Sequence, residues 1–209
     1  STMLLPILLQ TLLGYTAMLS GLVLSPGGFV VVIMLPIVGR LLGKFEARWL
    51  VVYGVTVTSL SLLLMAGFNL DIDFLTAMLA RIFQSAGMAF LFVPINTMAF
   101  YFIAQHKINN ATGIINLARN IGGSFGIAAV TTMLAQRAQF HQARLVEHFS
   151  PYSIGFQEAS RQVAGKLVAA GQPFLLAQKQ TLGLAYANVL RQASAMSFID
   201  CFWLLGVAM

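Results

Sequence analysis

Charge is what this sequence has least of. Only 9% of its 209 residues are Asp, Glu, Lys or Arg, while 58% are hydrophobic. That balance excludes an ordinary soluble domain, in which about a quarter of residues are charged. Acid is scarcest, with six Asp and Glu against twelve Lys and Arg and a formal charge of +6. The basic residues stand singly, without a Lys/Arg block or interleaved aromatics, so the excess does not read as a nucleic-acid surface. One cysteine, Cys201, excludes an internal disulfide, and His106, His141 and His148 lack metal-ligand spacing. Gly-x-Ser-x-Gly, the Gly-Lys-Ser/Thr phosphate loop and His-Glu-x-x-His are all missing. No machinery for hydrolysis or ATP-driven pumping is therefore visible, and neither cofactor nor metal is expected. Transport by such a chain would draw on a gradient.

What is abundant is apolar run length. About 20 apolar residues span a bilayer as a helix. Runs of that kind predict an incomplete helix at Thr2–Leu13, four complete spans at Leu22–Leu42, Trp49–Gly67, Phe74–Phe102 and Asn110–Ala135, and an incomplete one from Ala193 onward. The expected fold is all-α, a polytopic helix bundle in a lipid bilayer, because unpaired backbone cannot face lipid and barrel-strand alternation is missing. Gly14-Tyr15 then Ser25-Pro26-Gly27-Gly28 near the first connector, Gly39 with Gly43, and Asn69 with Asp71 and Asp73 read as breakers between spans. Ser1–Gln10 lacks a basic n-region and a cleavage site, so it does not read as a signal peptide. Both termini fall inside apolar runs and read as cuts of a larger protein.

Lys and Arg in short loops set orientation. Arg40, Lys44 and Arg48 follow the second segment, and His106 with Lys107 follows the fourth, so those loops are expected to be cytoplasmic. Alternation then puts 136–192 outside. This long stretch contains an expected amphipathic helix over Phe156–Leu167 ending near Gly171, and a helical pattern from Phe174 into the last segment. The domain reading is thus 1–135 for the membrane helices, 136–192 for an outer helical loop, and 193–209 for the start of the final membrane helix.

Within the greasy stretches two arginines stand out. A guanidinium at bilayer depth costs at least about 2.5–3.5 kcal/mol and usually faces a polar interior. Arg81, Gln84, Ser85, Met88, Phe92 and Asn96 share one helical face, beside Pro94. Thr112, Asn116, Arg119, Gly123 and Gly126 recur at spacings of four, three, four and three. Gly122-xxx-Gly126 adds a close-packing pair. Asp200 is the one acid expected inside a membrane segment, where desolvation would favour its protonated form. Arg119 and Arg81 lead as cavity-lining residues, with hydrogen bonds from Gln10, Gln84, Asn96 and Asn116.

These residues carry a family resemblance over nearly the whole chain. Leu5-Pro6 through Gln10, Gly14-Tyr15-Thr-Ala17, Gly39-Arg40-Leu-Leu-Gly43-Lys44, Arg81-x-x-Gln84-Ser85-x-Gly87 and, most specifically, Asn116-x-x-Arg119-x-x-Gly122-Gly123-Ser124-x-Gly126 resemble the major facilitator superfamily. The likeness is to its fourteen-helix drug:proton antiporters, the EmrB/QacA subfamily, in their C-terminal portion. His141, Gln142, Arg144, Arg191 and Asp200 are similar to the EmrB-like branch. Gly43 stands where the cytoplasmic loop motif has aspartate, and Ser85 replaces a glycine. The resemblance implies a multi-pass protein of the bacterial inner membrane that exports hydrophobic, drug-like compounds against protons by alternating access. It further implies completion by an N-terminal half and work alongside a periplasmic adaptor (membrane fusion protein) and an outer-membrane channel. A facilitator importing an organic anion, a non-transporting scaffold and an intramembrane enzyme are the competing readings.

Overall fold

The computed structural model describes residues 3–70, 72–101, 103–148, 154–169 and 171–209. They form seven α-helices: α1 (Leu4–Thr11), α2 (Ala17–Leu42), α3 (Ala47–Ala66), α4 (Phe74–Phe100), α5 (Ile108–His148), α6 (Ile154–Ala169) and α7 (Phe174–Ala208), with a 3-10 turn at Gln105–Lys107 before α5. No strand occurs among the described residues. Asp71, Phe102 and the Ser150-Pro151 step lie outside them.

Several boundaries differ from the sequence expectation. The first break falls around the expected Gly14-Tyr15 but is short, residues 12–16, where Gly14 takes φ +68° and Thr16 caps α2 by accepting a hydrogen bond from Leu19 N. Ser25-Pro26-Gly27-Gly28 does not interrupt α2, which carries Pro26 and Pro36 in its interior. Proline removes one backbone donor and crowds the preceding turn, yet neighbouring groups can satisfy what it frees when water cannot. The hydroxyl of Ser25 donates to Gly21 O at 2.7 Å, in the turn that precedes Pro26. Gly39 and Arg40 sit in the last helical turn of α2, so the connector to α3 shrinks to Gly43–Glu46, containing Lys44. Asp73 caps α4 through its carboxylate.

Among the described residues, three helices are long and apolar enough to cross a membrane: α2, α3 and α4. The fifth and final expected spans are helical but do not join them. Around Arg119, α5 also carries Asn109, Asn110, Asn116 and Asn120, which dilute its apolar content. Both helices run beyond the apolar stretches, unexpectedly for α5 and, for α7, from Phe174 as its helical pattern suggested. Thus α5 continues past Ala135 to His148, and α7 begins at Phe174, because Gln, Arg and Ala sustain a helix as well as Leu does.

Residues up to Thr132 together with Phe198–Met209 make one compact unit, and Met133–Ser197 a second. In the first, α4 packs against both α2 and α3. Gly54 and Gly87 are the reason α3 and α4 approach so closely. A methyl group on Gly54 would lie 3.0 Å from Gly87 O, and one on Gly87 would lie 2.9 Å from the backbone N of Thr58. Ser61 donates from α3 to Ala80 O at 2.8 Å, and Tyr53 meets Phe90 edge-on at 4.9 Å. Gly206 brings α7 against Leu63 of α3, and Ser59 donates to its carbonyl at 2.5 Å. In the second unit, Ala177, Thr181, Val189, Ala193 and Ser197 form the buried stripe of α7. Gln142 donates to the Tyr186 hydroxyl at 3.0 Å. Gly171, at φ +91°, turns the chain out of α6.

Candidate functional site: a two-arginine cavity

A cavity of about 440 Å³ opens where α2, α4 and α5 face one another, lined among others by Gly27, Thr58, Arg81, Met88, Asn96 and Arg119. Its size falls within the roughly 300–1,000 Å³ of small-molecule pockets. Its apolar walls are Val31, Met88, Leu91, Phe92 and Ile95.

Arg81 is only 9% exposed. Its NH1 donates to Oε1 of Gln84 one turn on, and Gln84 is fully buried behind it. Gly27 explains how a long cation fits against α2. A methyl group there would come within 2.5 Å of Ser85 Oγ and 3.1 Å of Arg81 Cγ. The position therefore has no room for a side chain.

Arg119 reaches the cavity from α5. Its NH2 donates to Asn96 Oδ1 at 2.6 Å, and its guanidinium carbon lies 5.1 Å from the centroid of Phe92. Asn96 is held in turn by its own Nδ2 bond to Phe92 O at 2.6 Å, with Pro94 buried between these two residues in sequence. Pro94 cannot donate a backbone hydrogen bond. The adjacent turns instead receive side-chain donors, Asn96 at Phe92 O and Thr97 at Val93 O.

The structure thus brings together Arg81, Gln84, Asn96 and Arg119. It does not bring the other candidates to the cavity wall. Gln10 is exposed on α1, Asn116 is exposed on α5, and Asp200 is half-buried on α7. Gly122, Gly123 and Gly126, expected to pack, have open space where a methyl group would go, and so does Gly39. Close glycine packing occurs instead at Gly54, Gly87 and Gly206. Arg40, Gly43 and Lys44 lie exposed at the end of α2, with the turn closed by Lys44 N and Phe45 N on Leu41 O. Sequence reasoning missed Gly27 and Thr58. Gly27 carries a signal, a glycine pair after proline in an apolar run, but that same pattern reads as a break.

Helices long enough to cross a bilayer, packed through glycines around a cavity bearing two arginines, make up a multi-pass membrane helix bundle. A model of the Major Facilitator Superfamily matches residues 1–127, and the chain belongs to that superfamily. Among curated proteins it is 29% identical to the fatty acid resistance protein FarB of Neisseria gonorrhoeae and 30% identical to the uncharacterized transporter YhcA of Bacillus subtilis, each over 95% of this chain. It is 29% identical to the multidrug export protein EmrB of Escherichia coli over 96% of this chain. The chain spans 38% of the length of each of these relatives. No solved structure gave a significant match.

Proposed function

We propose that this chain is part of a proton-driven multidrug efflux transporter of the bacterial inner membrane, exporting hydrophobic compounds by alternating access and carrying out no covalent chemistry. The observation that carries the reading is the cavity itself. Apolar walls suit a greasy substrate, and Arg81 and Arg119, with Asn96, supply the few polar contacts that orient it. Likeness to a multidrug export protein supports export over import. In this reading residues 1–135 and 193–209 belong to the membrane domain, and 136–192 form an outer loop that docks a periplasmic adaptor, itself joined to an outer-membrane channel. The coupling proton binds chiefly on carboxylates outside this chain.

The test is expression of the full-length transporter in a drug-sensitive bacterial host lacking its major efflux pumps. Resistance to hydrophobic antibiotics should rise, and dye extrusion should stop when an uncoupler collapses the proton gradient. Extrusion that persists without the gradient would overturn proton coupling, and no change in resistance or dye content would overturn export.

A further inference from the structure

Arg81 is a buried cation without a counter-charge. Its one hydrogen bond goes to Gln84, an amide, which fills a donor but cancels no charge. Its Nε and the Nε2 of Gln84 are both buried and both lack a partner. The unfilled atoms around this guanidinium are therefore all donors. Among the described residues no Asp or Glu lines the cavity. A buried cation surrounded by unused donors is poorly solvated until an anionic acceptor arrives. Gly27 of α2 lies against the group, where a methyl would come within 3.1 Å of Arg81 Cγ and 3.4 Å of its Nε. Arg119 differs from Arg81 in being already engaged by Asn96 and Phe92.

We propose that Arg81, backed by Gln84, is the seat for the carboxylate of an amphipathic organic acid whose apolar body lies along Met88, Leu91 and Ile95. The proposal rests on the transport reading and adds the substrate's charge to it. Because Arg81, though only 9% exposed, forms part of a cavity wall, an incoming ligand fits better than a carboxylate side chain from elsewhere in the transporter. That second source of the same chemistry is distinguished below.

The experiment uses full-length transporter purified in detergent and three probes with one apolar body: naphthylacetate, its neutral amide, and a naphthylmethyl trimethylammonium. Equilibrium dialysis should show the carboxylate bound about tenfold more tightly than the amide, the margin a charge-assisted hydrogen bond supplies over a neutral one. Arg81→Gln should erase that preference, bringing the two affinities together. Arg81→Lys should keep part of it, since a point charge replaces the planar fork. Should Arg81→Gln fail to fold, Gln84→Glu serves as the second variant. It installs a carboxylate beside the guanidinium and should abolish the preference without burying an unpaired charge. Equal affinities in the wild type would overturn the proposal. So would an unchanged preference in Gln84→Glu or Arg81→Gln, the result expected if a carboxylate from elsewhere in the transporter already occupies Arg81. Export of the amide and the cation without carboxylate preference would sink the charge assignment alone, whereas export of no probe would also sink the transport reading.

Discussion

Replacing Gly87 by alanine tests how α3 and α4 are held together. The new methyl group would sit 2.9 Å from the backbone N of Thr58 and 3.1 Å from Gly54 O, besides touching the Thr58 hydroxyl. Ordinary contact begins near 3.4 Å. Backbone atoms cannot rotate away, so α3 must retreat by about half an ångström, and a gap of 0.5–1 Å forfeits about a quarter to a half of each dispersion contact. Lipid supplies no compensating drive, because helix association in a bilayer rests on packing rather than on apolar area. Overpacking of this kind costs about 1–3 kcal/mol, against which alanine recovers up to about 1 kcal/mol of helix propensity. The net expectation is a loss of about 1–2 kcal/mol, larger for Gly87→Val. Reversible unfolding of the full-length protein in mixed micelles measures it, with Gly113→Ala as the control where open space awaits a methyl group. Wild-type stability in both Gly87 variants would refute the close-approach argument.

Other expectations follow from individual contacts. Arg119→Ala removes both the Asn96 bond and the Phe92 contact and should abolish drug resistance at near-normal membrane expression; full resistance would show that the contact is dispensable. Ser59→Ala breaks the bond to Gly206 O and should cost about 0.6–1 kcal/mol in the same unfolding assay; no change would assign the α3–α7 contact to Gly206 packing alone. In a full-length Cys201→Ser background, Glu158→Cys should label from outside intact cells and Lys44→Cys only after permeabilisation; the reverse pattern would invert the orientation. Replacing residues 140–185 by a short Gly/Ser linker should preserve drug binding in detergent but lose adaptor co-purification, and adaptor retained at wild-type levels by a folded deletion would rule out docking there.

Apolar run length made α3 and α4 legible to within a residue or two, because hydropathy and helix coincide there. It failed for the end of α5, held by helix propensity well beyond its greasy part, whereas the start of α7 at Phe174 was legible from helical pattern rather than from hydropathy. Hydropathy registers where lipid could lie, whereas a helix ends only where its backbone stops repeating. The breaker rule failed at Pro26 for a related reason: it assumes water is available to take the freed carbonyl. The cavity face of α4 was legible because Arg81, Ser85, Met88, Phe92 and Asn96 are an i, i+4 series on one helix, whose geometry is fixed by sequence spacing. Gly27 and Thr58 belong to helices that meet that face only in three dimensions. Nothing in the spacing of one helix identifies which glycine of another will lie against its arginine. The glycines of α5 misled in the opposite sense, since a small-residue stripe signals that a neighbour can approach closely, not that one is present in the same chain.

A bundle held by packing rather than by apolar burial makes its polar groups easier to interpret, because each must be accounted for individually. On α3, Thr58 bonds its own helix at Gly54 O, Ser59 reaches Gly206 O and Ser61 reaches Ala80 O. Asn96 is spent on Phe92 O and Arg119. Gln84 gives its oxygen to Arg81. Among the buried side chains of the membrane-spanning helices, the atoms left without partners are Ser20 Oγ on α2 and the Nε of Arg81 with Nε2 of Gln84 on α4. A serine hydroxyl is a small debt, whereas an unpaired guanidinium is not. The two arginines should therefore fail differently when removed. Loss of Arg119 takes away the side-chain tie between α5 and α4 and should depress transport of every substrate alike. Loss of Arg81 leaves that tie in place and should change which substrates are carried, reducing anions while sparing neutral and cationic ones. Parallel losses across a charged and neutral substrate panel in both variants would show that the arginines act as one structural unit instead.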